Sequence, residues 1–247
     1  MTRPPSGKGI PMATGIAAAG NRKTQSAPAL GLGVYSMAEA ARYTGLHPAR
    51  IRTWFKGRAG SPPRRAVFLG DFKMVGGDYG ISFLDLIDAL VMGSFRDAGV
   101  TMPVIRRAYS ALADDLGTPH PFAHSTLRTD GRQVIVDVAG KLDERVLYNA
   151  ITKQLMFSQL RDLLDLIEYK DSTGLAHLWR IARGVTINPE VGLGKPVVAN
   201  TGVHTRVIAS QLAANSDDAA LIADLFDLTE DEVRSAASFE MSLKTAA

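Results

Sequence analysis

The chain has 247 residues, 46% of them hydrophobic, which is long enough for two domains with cores of their own. It has no cysteine, which excludes a disulfide framework, Cys-based zinc sites and thiol chemistry. The net charge of +3 hides an asymmetry: residues 1–73 carry 12 Lys and Arg against 2 Asp and Glu, residues 74–203 carry 13 against 15, and residues 204–247 carry 3 against 8. A positive field concentrated on one module is the footprint of phosphate binding. Charge interrupts every apolar run well short of the ~20 residues a spanning helix needs. The expectation is a protein without membrane association, located in the cytoplasm.

Residues 1–33 are rich in Gly, Ala, Pro and Ser and carry Arg3, Lys8, Arg22 and Lys23. Ile10 to Gly20 is too interrupted for a signal sequence, so this segment reads as a disordered basic tail. Ser36 then caps a helix from Met37 to Tyr43, with Glu39 completing a capping box. Thr44-Gly45 breaks it, and Pro48 stands where a first helical residue belongs. A second helix runs from Ala49 to Lys56, ended by Gly57. Ile51, Trp54 and Phe55 are expected to face inward, leaving Arg50, Arg52, Thr53 and Lys56 outward. Two short helices joined by a tight glycine turn, the second basic, are what a helix-turn-helix requires.

Arg58 to Tyr79 reads as a wing: Arg64 and Arg65 precede the apolar run Ala66 to Leu69, and Gly76-Gly77-Asp78 turns into Tyr79 to Ile81. Ser82 with Asp85 caps a helix from Phe83 to Ala98, and Thr101 caps one running to about Leu116. Leu84, Ile87, Leu90 and Val91, and likewise Ile105, Ala108, Tyr109 and Leu112, recur at helical spacing and are expected in the core.

This order of elements resembles the winged helix of the MerR class, and Gly45 to Arg52 is similar to the segment that class places in the major groove. The resemblance implies that Arg52 and Thr53 face the groove. With the basic residues around them, the expected DNA-binding set is His47, Arg50, Arg52, Thr53, Lys56, Arg58, Arg64 and Arg65. After about residue 118 the chain departs from that class. No long coiled coil with metal-binding cysteines follows, so metal or drug sensing is not implied.

In the middle region, residues 119–183, Thr129-Asp-Gly-Arg132 signals a hairpin. Glu144 to Glu168 reads as a helix with Met156, Leu160, Leu163, Leu164 and Ile167 on one stripe, a core face or a dimer seam. His120 and His124 invite a metal, but Pro121 interferes with a helix that would align them and no third ligand is in sight; no metal site is expected.

The C-terminal segment carries Val185-Thr-Ile-Asn-Pro189, Gly194-Lys-Pro-Val-Val198, Thr201 and Leu228-Thr-Glu-Asp-Glu-Val-Arg-Ser-Ala236. Thr229 with Glu232 forms a capping box. These motifs resemble a small domain found in bacterial toxin–antitoxin loci, with departures at Asn200 and Gly202, where that family has Gly and Arg. Together the two resemblances are similar to the larger VapB-type antitoxins, whose partners are PIN-domain ribonuclease toxins. Such toxins hold Mg²⁺ with clustered carboxylates. The acid-free loop Lys195, Asn200, Thr201, His204 and Arg206 is therefore the expected toxin contact.

No catalytic constellation survives inspection. Gly192-Leu-Gly-Lys195 fails as a phosphate loop, because Pro189 stands where its first glycine belongs and Pro196 where its Ser or Thr belongs. The expected fold is mainly α with small β elements. A winged helix-turn-helix occupies residues 34–118, a hairpin-and-helix region 119–183, and a small three-helix domain 184–247. The expected function is a DNA-binding antitoxin that represses its own operon and needs no cofactor. It is not expected to be an enzyme, and its partners would be promoter DNA, a PIN-domain toxin and a second copy of itself or a larger hetero-oligomer. The alternative is a stand-alone MerR-like transcription regulator with a C-terminal dimerisation or sensing domain.

Overall fold

A computed structural model of the chain describes residues 32–60, 63, 65–68, 70–72, 80–128 and 160–245. Helix α1 (Met37–Thr44) starts where the sequence places it: the Ser36 side chain accepts the Glu39 N–H, and Glu39 accepts the Ser36 N–H. Gly45 ends it in the left-handed region at φ 67°, a conformation that costs a side-chain-bearing residue about 1–2 kcal/mol. Helix α2 (Pro48–Lys56) begins on His47, whose Nδ1 accepts the Ala49 N–H at 3.1 Å. Ile51, Trp54 and Phe55 are buried, as the periodicity predicts.

Helix α3 (Phe83–Asp97) is the central element, capped by the reciprocal Ser82–Asp85 pair, and α4 (Met102–Leu116) packs beside it. Along α3, Ile87 and Val91 are buried and Leu84 and Leu90 pack at the core's edge; along α4, Ile105, Ala108 and Leu112 are buried. Gly93 lets the α1–α2 turn approach: a Cβ there would lie 2.6 Å from Leu46 Cδ2.

Of the stretch predicted helical from Glu144 to Glu168, residues 144–159 lie outside the described residues, and the described helical part, 160–164, ends short of Glu168. Ile167–Tyr169 is instead strand β1 of a four-stranded antiparallel meander, followed by β2 (Ala176–Ala182), β3 (Val185–Ile187) and β4 (Val197–Val198). The physical reason is pairing: Ile167 lies opposite Trp179 and Tyr169 opposite Ala176, and cross-strand contacts of this kind outweigh the helical phase of the preceding leucines. Ile167, Trp179 and Ile187 join the same apolar core as α1–α4. Three helices complete the chain: α5 (Thr205–Ala214), α6 (Ala219–Phe226) and α7 (Glu230–Thr245), packed around Ile208, Leu212, Ile222, Val233 and Ala236. The protein is thus mainly helical with a small antiparallel sheet. No helix among the described residues is long and apolar enough to cross a membrane. The predicted turn at Gly76, the Asp-Gly hairpin at 130–131 and most of the tail over 1–33 lie outside the described residues.

Candidate nucleic-acid and partner interfaces

The first candidate surface is the outer face of α2. With Ile51, Trp54 and Phe55 turned inward, Arg50, Arg52 and Lys56 are left exposed on the other side, beside His47 and Arg58. The Thr53 hydroxyl is turned to its own backbone, donating to the Ala49 carbonyl at 2.8 Å. Arg50 donates to Asp97 at the end of α3, 2.9 Å away. Both partners of that pair are at least half exposed, so it is worth no more than about 1 kcal/mol and its guanidinium is cheaply released. Arg65 is exposed, and Arg64 lies outside the described residues.

The base of the predicted wing is tied down by groups the sequence did not single out. Arg106 of α4 donates to the carbonyls of Ala66 and Arg65, and the Val67 N–H donates to the Trp54 carbonyl at 2.7 Å. Asp71 reaches a buried ionic cluster beneath α3. There His120 Nε2 donates to Asp71 at 3.0 Å and Nδ1 to Asp88 at 2.9 Å, while Asp85 accepts the Asp71 and Ser82 N–H groups. Tyr109 and the Ala123 N–H also donate to Asp88.

Burial opposes the charge on His120, but its hydrogen bonds to Asp71 and Asp88, and their charges, outweigh it and lift its pKa to about 10. Burial pushes the Asp88 carboxyl up to about 6 despite the imidazolium beside it. The sequence put no third ligand near His120. Folding brings Asp71 and Asp85 ligand atoms within 4.8 Å of it, because those residues come from elements distant in sequence. His124 is elsewhere, accepting the Thr126 N–H. Since both His120 nitrogens are engaged by carboxylates, the cluster reads as a structural imidazolium network.

The second candidate surface lies where the Gly-Lys-Pro-Val segment meets α1. The Tyr35 hydroxyl donates to the Gly194 carbonyl at 2.6 Å. Lys195 Nζ donates to Glu39 at 2.6 Å and to the Val34 carbonyl at 3.1 Å, and sits 5.3 Å from the Tyr35 ring centroid. Burial disfavours ionisation of Glu39, yet the hydrogen bonds from Lys195 and Ser36 prevail and hold its carboxyl below the usual carboxylate range. Of the residues expected to contact a toxin, Lys195, His204 and Arg206 line one cleft of about 1030 Å³ between α1, α5 and α7. Asn200 and Thr201 do not line it; Asn200 is exposed, with its backbone at φ 61°, and the Thr201 hydroxyl donates to the Val198 carbonyl. Arg42, Tyr43, Glu240 and Lys244 line the cleft as well.

Comparison with known proteins adds three findings. Residues 185–239 match a family described as "Protein of unknown function (DUF433)". A protein of Mycobacterium tuberculosis (strain ATCC 25618 / H37Rv) named "Putative antitoxin VapB45" is 29% identical over 222 residues, which is 82% of this chain and 92% of the relative. The crystal structure of Rv2018 from Mycobacterium tuberculosis is similar in fold, with a TM-score of 0.67 at 25% identity, covering 83% of this chain and 97% of that one. The similarity therefore extends well beyond the C-terminal motifs, through the sheet and into the front helices.

Proposed function

We propose that the chain is a DNA-binding antitoxin of a type II toxin–antitoxin system. In this reading α1 and α2 form a winged helix-turn-helix that binds the promoter of its own operon, and the C-terminal region neutralises a PIN-domain ribonuclease toxin. The observation that carries the reading is the likeness, over 82% of this chain and 92% of the relative, to the mycobacterial protein named "Putative antitoxin VapB45". The exposed cationic face of α2 supports the DNA half, because a charged, solvent-exposed helix face is what major-groove entry needs. The clustering of Lys195, His204 and Arg206 in one cleft supports the partner half.

The test uses the full chain, since Trp179 and Ile187 complete the front core and a fragment would expose it. Co-expression with a neighbouring gene for a PIN-domain protein should restore growth. DNA binding without rescue would instead favour the stand-alone regulator. Arg52→Ala should lose about 1–3 kcal/mol of specific binding to the upstream promoter if it reads a guanine. Fluorescence anisotropy checks this, and unchanged affinity in both Arg50→Ala and Arg52→Ala would remove α2 from the interface. A two-fold operator calls for a dimer; the expected seam, an apolar helix stripe within residues 83–168, is not on α3 or α4, whose stripes are spent on the chain's own core. Light scattering should show a dimer at micromolar concentration, and a monomer both free and DNA-bound would contradict it.

A further inference from the structure

We infer that the cleft between α1, α5 and α7 docks an acidic peptide segment of a partner protein, with Arg42 and Arg206 as the pair that reads its carboxylates. The inference rests on the antitoxin reading only for the source of that peptide. The cleft's own acids are already engaged: Glu39 holds Lys195 and the Ser36 N–H, and Glu240 accepts the Thr205 hydroxyl at 2.5 Å. Lys195 is spent on the same Glu39 contact. Arg42, Arg206 and Lys244, by contrast, are exposed and make no ion pair among the described residues. Arg42 closes α1 and Arg206 opens α5, and both line the cleft together with Tyr43. Two uncommitted guanidinium forks beside a phenol are suited to planar, bidentate recognition of carboxylates.

Size and pattern select a peptide. A volume of about 1030 Å³ far exceeds what a single small anion fills, and Val207, Leu243 and Pro196 give the walls apolar stretches for side chains. A nucleic-acid strand would want an unbroken cationic track or stacking platforms. Here Glu39 and Glu240 interrupt the cations, so spaced carboxylates fit better than a continuous row of phosphates. The cleft is walled by α1 on one side and by α5 and α7 on the other, so one bound segment would touch both ends of the chain.

The experiment is anisotropy of fluorescein-labelled hexaglutamate with the full-length protein at low salt, with hexaglutamine as the neutral control. Hexaglutamate should bind and hexaglutamine should not. Arg42→Ala with Arg206→Ala should weaken binding by at least about tenfold, as expected for loss of a paired charge site. Arg50→Ala with Arg52→Ala should leave it unchanged. Arg42 and Arg206 are both exposed, so an unchanged melting temperature in their double variant separates loss of binding from loss of fold. Absence of hexaglutamate binding, or binding indifferent to Arg42 and Arg206, overturns the inference. Duplex DNA affinity that falls as far as hexaglutamate affinity in this double variant would give the cleft to nucleic acid. Displacement of the probe by equimolar inorganic phosphate would make it a free-anion site. Growth rescue decides the antitoxin reading separately: rescue without hexaglutamate binding sinks only the cleft, and binding without rescue keeps the cleft while removing the toxin as its occupant.

Discussion

Replacing His120 by alanine should destabilise the protein by about 3–5 kcal/mol at neutral pH, the usual cost of stripping the partner from buried charges. Asp85 and Asp88 are almost wholly buried, and His120 is the cation that faces both. The pH dependence follows from the sign of each shift. A histidine whose pKa rises on folding from 6.5 to about 10 contributes stability that is complete below pH 6.5 and lost as the pH climbs through about 10. The native protein should therefore weaken measurably in urea between neutral pH and pH 10. In His120→Ala the abandoned carboxylates have their pKa values raised further by burial. A raised carboxylate contributes stability at low pH that disappears as it ionises, so this variant should be firmer at pH 5 than at pH 7. A flat native profile above neutrality, or a variant that loses less than about 1 kcal/mol, would show that the cluster is not held together by an imidazolium.

Gly194→Ala should be the second large loss, above about 2 kcal/mol. Its backbone sits at φ 76°, where a Cβ alone costs about 1–2 kcal/mol. The added carbon would also lie 2.9 Å from Gly33 Cα and 2.8 Å from the Tyr35 hydroxyl, so backbone must move and the bond from Tyr35 to the Gly194 carbonyl opens. Tyr35→Phe removes that bond without the clash and should cost only about 1 kcal/mol. Thermal unfolding of the two variants separates the contributions. Near-equal melting temperatures for native protein and Gly194→Ala would mean the two segments do not depend on one another's close approach.

Much of the helical scaffold was legible because its signals are local. Ser36 with Glu39, Ser82 with Asp85 and Thr229 with Glu232 each form a reciprocal cap across three residues, and each is present in the structure. The buried faces of α2, α3 and α4 follow the same short-range periodicity. What could not be read are contacts between distant segments. Ile167 continues the leucine phase of the preceding helix, and only its pairing with Trp179 makes it a strand. His120 finds Asp71 across 49 residues, and Lys195 finds Glu39 across 156. Arg42 carries no signal in the sequence beyond its place near the end of a short helix. Its place in one cleft with Arg206 exists only once α5 has been brought to it.

The bond from Tyr35 to Gly194 spans 159 residues, and Lys195 grips Glu39, which completes the capping box of α1. At a synthesis rate of about 5–20 residues per second, roughly 8–32 s separate the two segments as they leave the ribosome. Throughout that interval α1 lacks the cation against its cap, and for most of it the core under α3 lacks Trp179 and Ile187. The basic front of the chain is thus made first but finished late: its native packing is withheld until translation has run past the Gly-Lys-Pro-Val segment. A nascent or prematurely terminated chain carries the cations of α2 on a scaffold whose core is still missing the side chains that Trp179 and Ile187 later supply.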